Sequence, residues 1–297
     1  GLYMRTVRGC GSHAGVLHVI FRVELLRGEE PVPFFEIASP TVLRLEAEGD
    51  GYAEICIAEP KVVRIRGAGV GMRLTMETGV SDNAIPRGNE RWQVTSFATG
   101  TKYALVPLKG QLAVDAPWSV SKSTYVVADF LPNSGDETFE CAIEEFTTAL
   151  PERDHEESFD ACVKVVEAEY DAWLDRVPGV PREYLAAGQL AAYVNWSSVV
   201  APEGYLTRPA MFMSKNWMNG VWSWDHCFNA MALSYLHPEL AWDQFMIPMD
   251  NQDASGAFPD GVNDSVRQWS FCKPPIHGWA LKWMMERTDF IDRARLE

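Results

Sequence analysis

Three short stretches of the chain gather residues able to hold a polyhydroxylated ligand, and each lies between segments of helical periodicity. The first is Asn216-Trp-Met-Asn-Gly-Val-Trp-Ser-Trp-Asp-His-Cys-Phe228, in which Trp222 and Trp224 flank Ser223 and Asp225 opens a helix. Sugar rings have apolar C–H faces that lie on indoles, and hydroxyls that donate charge-assisted hydrogen bonds to a carboxylate. Asp225 supplies the acceptor and the two tryptophans supply walls. The same residues also fit a plainer arrangement, with Ser223 and Asp225 capping the helix and both indoles in the core.

The second stretch, Asp250-Asn-Gln-Asp-Ala-Ser-Gly-Ala-Phe-Pro-Asp-Gly-Val-Asn-Asp264, is a polar loop whose Gly and Pro fix its turns. Its amides and carboxylates, Gln252 and Asp260 among them, can read hydroxyls; a merely solvated loop is the rival reading. Asp and Asn oxygens also suit hard cations, but the spacing departs from the EF-hand rule and lacks its terminal Glu, so no metal is expected. The third stretch, Phe271-Cys-Lys-Pro-Pro-Ile-His-Gly-Trp-Ala-Leu281, places Lys273 just before a helix, within reach of a substrate oxygen. His277 fits a satisfied buried histidine better than a second substrate contact.

The elements that position these stretches follow from periodicity. From about residue 15 to 147 the period is two, as in Val16-Leu-His-Val-Ile-Phe-Arg-Val-Glu-Leu25, Thr41–Ala47 and Lys61–Arg66. Further strands are predicted at Met72–Glu77, Arg91–Phe97, Lys102–Leu108, Tyr125–Leu131 and Thr138–Phe146, and their number and spacing imply a β-sandwich. After Pro151, Phe159, Cys162, Val166, Tyr170 and Trp173 recur every three or four residues and mark an amphipathic helix that Pro178-Gly179 ends. Helix-like segments follow near 182–200, 224–236, 238–249 and 275–287, with Pro238 and Pro275 at first-turn positions. The expected division is a β-sandwich over 1–150, a linker helix over 151–181 and the opening helices of an all-helical domain over 182–297.

Composition narrows the function classes. A net charge of −15 opposes phosphate backbones and anionic lipid, so neither nucleic acid nor membrane is an expected partner. No apolar run approaches the ~18 residues of a membrane span. Six cysteines without CxxC or CxH spacing argue against a zinc site and a dense disulfide framework, and reduced thiols in a cytoplasm fit them best. Of eleven tryptophans, eight fall between Trp173 and Trp279, which moves any aromatic ligand platform away from the sandwich. The composition gives no indication of oligomeric state.

Together and in this order, the three stretches resemble the inverting glycosidases with an (α/α)6 barrel: trehalase, the glycoside hydrolase family 63 α-glucosidases, and bacterial mannosylglycerate or glucosylglycerate hydrolases. Trp222-Ser-Trp-Asp225 with Phe228 is similar to their Trp-Asp-x-x-Phe signature, and Phe258-Pro-Asp260 and Lys273-Pro-Pro275 to the loops that follow. The resemblance covers roughly residues 182 to 290. It implies inverting hydrolysis of an α-glycosidic bond in an oligosaccharide or small glycoside, without a cofactor. Asp225 would bind hydroxyls of the sugar in the cleaved subsite, Trp222 and Trp224 would wall it, and Gln252, Asp260 and Lys273 would add contacts. Such hydrolysis needs two carboxyl groups about 6.5 to 9.5 Å apart, one as acid and one as base. In the family these lie on later barrel loops, hence beyond Glu297, so this chain is expected to be an inactive N-terminal portion. Trehalases carry Asn-Arg-Ser-Gln before the double proline; Ser270-Phe-Cys-Lys273 departs from it, which counts against trehalose.

Two other classes compete. A non-catalytic carbohydrate-binding protein would display aromatics on the sandwich, yet of the tryptophans only Trp92 and Trp118 fall there, against eight from Trp173 to Trp279. A polysaccharide lyase on a helical toroid would use Tyr and His on an acidic substrate, which the acidic charge disfavours.

Overall fold

Apolar residues at every second position can be buried only if the chain runs extended, and between Leu2 and Phe146 it does so in two antiparallel sheets. The structure, a computed structural model, describes residues 1–9, 19–215, 218–269, 271 and 273–296. One sheet has the spatial order Leu2–Arg5, Val19–Arg27, Gly71–Met76, Val126–Leu131 and Gln111–Asp115, with Glu30–Val32 also pairing with Val19–Arg27. The other runs Phe34–Ala38, Leu43–Ala47, Tyr52–Glu59, Val62–Ala68, Thr138–Phe146, Thr101–Lys109, Trp92–Ser96 and Asn83–Pro86. Each strand turns one face inward: Met72, Leu74 and Met76 are buried while Arg73 ion-pairs with Asp129 on the other face. The inward residues of both sheets form one core, in which Phe21 and Tyr103 meet edge to face at 5.7 Å. A Cβ on Gly67 would lie 2.2 Å from the Phe139 ring, so glycine is required where that ring crosses the strand.

The predicted strands are all present, together with Phe34–Ala38, Tyr52–Glu59 and Gln111–Asp115, which the alternation did not single out. Val16–His18, the start of the first predicted strand, lie outside the described residues. The outward face of the eight-stranded sheet carries Arg44, Glu54, Arg64, Arg66 and Glu140 in cross-strand ion pairs.

Contacts divide the described residues into two compact units, 1–6 with 19–170 and 7–9 with those from 171 to 296. Helix α1, Phe159–Leu174, passes from the first to the second. In the second unit a 3₁₀ turn, Arg182–Tyr184, leads into α2, Leu185–Ser198, followed by α3, Asp225–Leu233, α4, Pro238–Asp250, α5, His277–Met285, and the short α6, Arg293–Leu296. The all-β plus all-α reading therefore holds, as a sandwich followed by the opening helices of a barrel. Pro238 is the first residue of α4, where a missing N–H costs nothing. Pro275 instead precedes α5: the Ile276 N–H donates to the Pro274 carbonyl, and this tight turn delays the helix to His277.

Helices α3, α4 and α5 pack through Cys227, Ala230, Trp242, Phe245, Ala280 and Met284. A second cluster joins Trp173, Ala192, Met211, Leu233 and Ala241. No helix among the described residues is long and apolar enough to cross a membrane.

Candidate functional site

Strand pairing brings the first two stretches together. Val221–Trp222 pairs antiparallel with Gly261–Val262, which pairs in turn with Arg267–Gln268. The ladder continues beyond the strand ends, with the Ser223 N–H donating to the Asp260 carbonyl at 3.0 Å and the Asp260 N–H to Gln268 at 2.7 Å. The peptide two residues before Asp225 is thereby fixed beside Asp260. From the third stretch, the Lys273 ammonium comes to 3.5 Å from Asp260 Oδ1. The Asp260 side chain is 3% exposed and that of Lys273 30%, so this acid is sealed behind its cation. Among the described residues Asp260 Oδ1 accepts no hydrogen bond, which leaves the ammonium as its charge partner.

Asp225, the first residue of α3, is half-buried. The helix cap falls on Trp224, which brings no side-chain acceptor, and the Asp225 carboxylate meets its own backbone N–H. Burial raises the carboxyl above the usual range; Lys273 and that N–H pull it back, and Asp260 adds to the rise. Asp225, Asp260 and Lys273 thus act on one another electrostatically, from three separate loops.

The aromatic residues divide. Trp222 is 6% exposed, and its indole packs over backbone that has no side chains: a Cβ on Gly220 would lie 3.1 Å from it and one on Gly261 3.5 Å. These residues, with Val262, Asn263, Val266 and Gln268, line a crevice of about 10 Å³, room for a single water at most. Trp224 is half-buried and meets Phe228 edge to face at 6.0 Å, and Phe228 meets Trp279 likewise at 6.2 Å. Phe228 and Trp279 are half exposed, so the open aromatic surface is Trp224–Phe228–Trp279. Trp279 was legible only as a residue of the third stretch, because its exposure depends on which face of α5 meets α3.

Gln252 stands apart from this cluster: it is exposed, and its amide donates to the Gly256 carbonyl within its own loop. Asp253 accepts from the Ser255 N–H and hydroxyl and the Ala257 N–H, and Asp250 accepts from Arg208 and Thr207. Asn216, Trp217, Ser270 and Cys272, which belong to the first and third stretches, lie outside the described residues.

Two histidines brace the loops. His226 is fully buried; the Trp222 N–H donates to its Nδ1 at 3.2 Å, and its Nε2 donates to the Met211 carbonyl at 2.7 Å. Burial lowers it to about 4, so it is neutral and its tautomer is set by these contacts. His277, half-buried, donates from Nε2 to the Ser223 carbonyl at 3.1 Å and is also held below its usual value by burial. Among the described residues no group of three or more His, Cys, Asp or Glu side chains stands ready for a metal ion.

Comparison with known proteins follows the same lines. Residues 218–297 match the family model described as the mannosylglycerate hydrolase MGH1-like glycoside hydrolase domain. No curated protein matches the chain. Among solved structures, the GH92 family glycosyl hydrolase ccman5 superposes with a TM-score of 0.53 at 14% identity, over 75% of this chain and 39% of that one. A chain described as a kojibiose phosphorylase from human microbiome does so with a TM-score of 0.53 at 9% identity, over 84% of this chain and 44% of that one. At such identities the likeness is one of fold, and the chain spans less than half the length of either structure. With a glycoside hydrolase family match over its C-terminal residues and a sandwich-plus-helices fold shared with carbohydrate-active enzymes, the chain is similar to the helical-barrel glycosidases, as its three motif stretches implied.

Proposed function

We propose that the chain carries the sugar-recognising loops of a glycoside hydrolase that cleaves an α-glycosidic bond with inversion, in a small glycoside such as a mannosyl- or glucosylglycerate. The observation that carries this reading is the convergence of Asp225, Asp260 and Lys273 from three loops beside an open aromatic surface. Asp225, the more open of the two acids, accepts hydroxyls of the sugar in the cleaved subsite. Lys273, paired with Asp260, donates to a sugar oxygen. Trp224 meets the C–H face, and Trp222 supports the loop from beneath. The general acid and base come from later loops of the barrel, beyond Glu297 in sequence. Two carboxylates facing one ammonium disfavour a uronate, which weighs against the lyase reading. The free thiols of Cys56, Cys141, Cys162 and Cys227 suit a reducing cytoplasm, and residues 151–181 serve as the link between sandwich and barrel.

Titration of the chain with methyl α-D-mannopyranoside and methyl α-D-glucopyranoside, read by calorimetry, tests the assignment. Asp225→Ala is expected to weaken binding by one to two decades, since a charge-assisted hydrogen bond is worth about 1.5 to 3 kcal/mol. A capping role predicts instead a stability loss of about 0.5 to 2 kcal/mol with affinity untouched. The pH dependence has a definite sign. The ionised carboxylate is the stronger acceptor, with both oxygens charged, and the fold raises the Asp225 carboxyl, so affinity should climb with pH at values above those where a free aspartate titrates. Affinity that is flat across this range, or equal in the Ala variant, would remove Asp225 from the site.

A further inference from the structure

The imidazole of His277 touches the backbone or side chains of both segments that deliver a carboxylate. Its Nε2 donates to the Ser223 carbonyl at 3.1 Å, two residues before Asp225. Its ring lies 4.8 Å from that of Phe258, two residues before Asp260, and 6.4 Å from Phe245 of α4. His277 is itself the first residue of α5, set in place by the turn that follows Lys273.

The Ser223 carbonyl has particular need of this donor. At the start of α3 the Cys227 N–H, which would ordinarily serve it, closes onto the Trp224 carbonyl at 3.1 Å. What α3 offers Ser223 is the weak Cys227 thiol at 3.6 Å. Ser223 is 5% exposed, so water is no substitute. The two ends of one peptide unit's residue are therefore clamped from different loops: the Ser223 N–H by Asp260, its carbonyl by His277.

We propose that His277 is a positioning residue, holding the Asp225 loop in register with the Asp260 loop so that both acids and Lys273 address one ligand; this rests on the sugar-site reading above. His277 touches no sugar in this arrangement and acts through the Ser223 carbonyl. Released, that carbonyl would seek another donor and carry Asp225 away from Asp260 and Lys273.

Three variants separate this role from simple packing. His277→Gln keeps an N–H donor near the Nε2 position, His277→Asn is too short to reach, and His277→Leu keeps apolar bulk without a donor. Two readouts are taken on the chain: affinity for methyl α-D-mannopyranoside by calorimetry, and titration of the Asp225 side-chain carboxyl by carbon-13 NMR. In the wild type and His277→Gln the Asp225 carboxyl should titrate above the free aspartate and affinities should agree within about threefold. In His277→Leu and His277→Asn the titration should fall toward that of a free aspartate, and affinity should weaken by about tenfold or more. If His277→Leu does not fold, the Gln and Asn pair decides the matter by the same comparison. Folded Leu or Asn variants with wild-type Asp225 titration and affinity overturn the proposal. A wild type that binds neither methyl α-D-mannopyranoside nor methyl α-D-glucopyranoside overturns the sugar-site reading, while the Asp225 titrations still decide whether His277 positions that loop.

Discussion

At the scale of single residues, the acids of the three stretches differ in what they have left to give. Asp250 and Asp253 spend their oxygens on Arg208, Thr207, Ser255 and Ala257, and Asp260 is sealed behind Lys273. Asp225 keeps acceptor capacity, at the price of partial burial that raises its carboxyl. His226 shows the opposite shift and a testable consequence. Its pKa falls from 6.5 to about 4 because its ring is fully buried. The unfolded chain therefore binds the proton first, and between about pH 6.5 and 4 stability should fall as pH falls. At about 1.4 kcal/mol per pKa unit, the full shift is worth on the order of 3 kcal/mol. Thermal melts from pH 7 to 4 should show this decline, and His226→Gln should flatten it; an equal slope in both would assign the acid sensitivity elsewhere.

At the scale of elements, the site loops hang on buried amides more than on regular structure. Gln244 of α4 is fully buried; its Oε1 accepts from the Met211 N–H at 2.6 Å, and its Nε2 donates to Pro209 and Leu240. Asn251, at the end of the same helix, donates to Tyr205 and Ile247 and accepts from Arg267. Gln244→Leu fills the space but strands the Met211 N–H and the Pro209 carbonyl, each worth about 1 to 3 kcal/mol when buried unpaired. A loss of about 2 to 4 kcal/mol in denaturant unfolding is expected; a loss below about 0.5 kcal/mol would mean that the loop re-pairs elsewhere. None of this is visible as periodicity. Gln244 reads as one more polar position of an amphipathic helix, because its partners lie outside that helix.

At the scale of the molecule, the chain spans 39% and 44% of the two solved structures it resembles, and its acids set what it can do by itself. Inverting hydrolysis needs one carboxyl group to protonate the leaving oxygen and a second, open to water, to serve as base. Asp260 is closed to water and paired with Lys273, so Asp225 is the one open acid of the cluster. The 297-residue chain should therefore bind a glycoside without turning it over, as assays with p-nitrophenyl α-D-mannopyranoside and α-D-glucopyranoside can check. Turnover that disappears in Asp225→Asn would make Asp225 catalytic instead of a hydroxyl acceptor.

What the sequence determined by itself is local. A period of two dictates strands and a period of three to four dictates helices, because each is the only way to put those apolar residues on one face. The sandwich, α1, the proline start of α4 and the polar loops were legible for that reason. Two of the strands that escaped notice, Phe34–Ala38 and Gln111–Asp115, lie at sheet edges, where outward residues need not be polar, and Phe35 and Ile37 are both exposed; the third, Tyr52–Glu59, is an interior strand. What the tertiary structure decided is which candidates meet. Asp225, Asp260 and Lys273 converge through a three-stranded ladder and a proline turn whose partners are far apart in sequence. Trp222 and Trp224 are equivalent in the sequence, yet Gly220 and Gly261 open a slot that takes the first into the core and leaves the second beside open aromatic surface. His277 makes an internal hydrogen bond, as a satisfied histidine should, but it is only half-buried and its acceptor is the Ser223 carbonyl. Only folding selects that partner, since the pairing depends on how α5 packs on α3 and not on any neighbour in the chain.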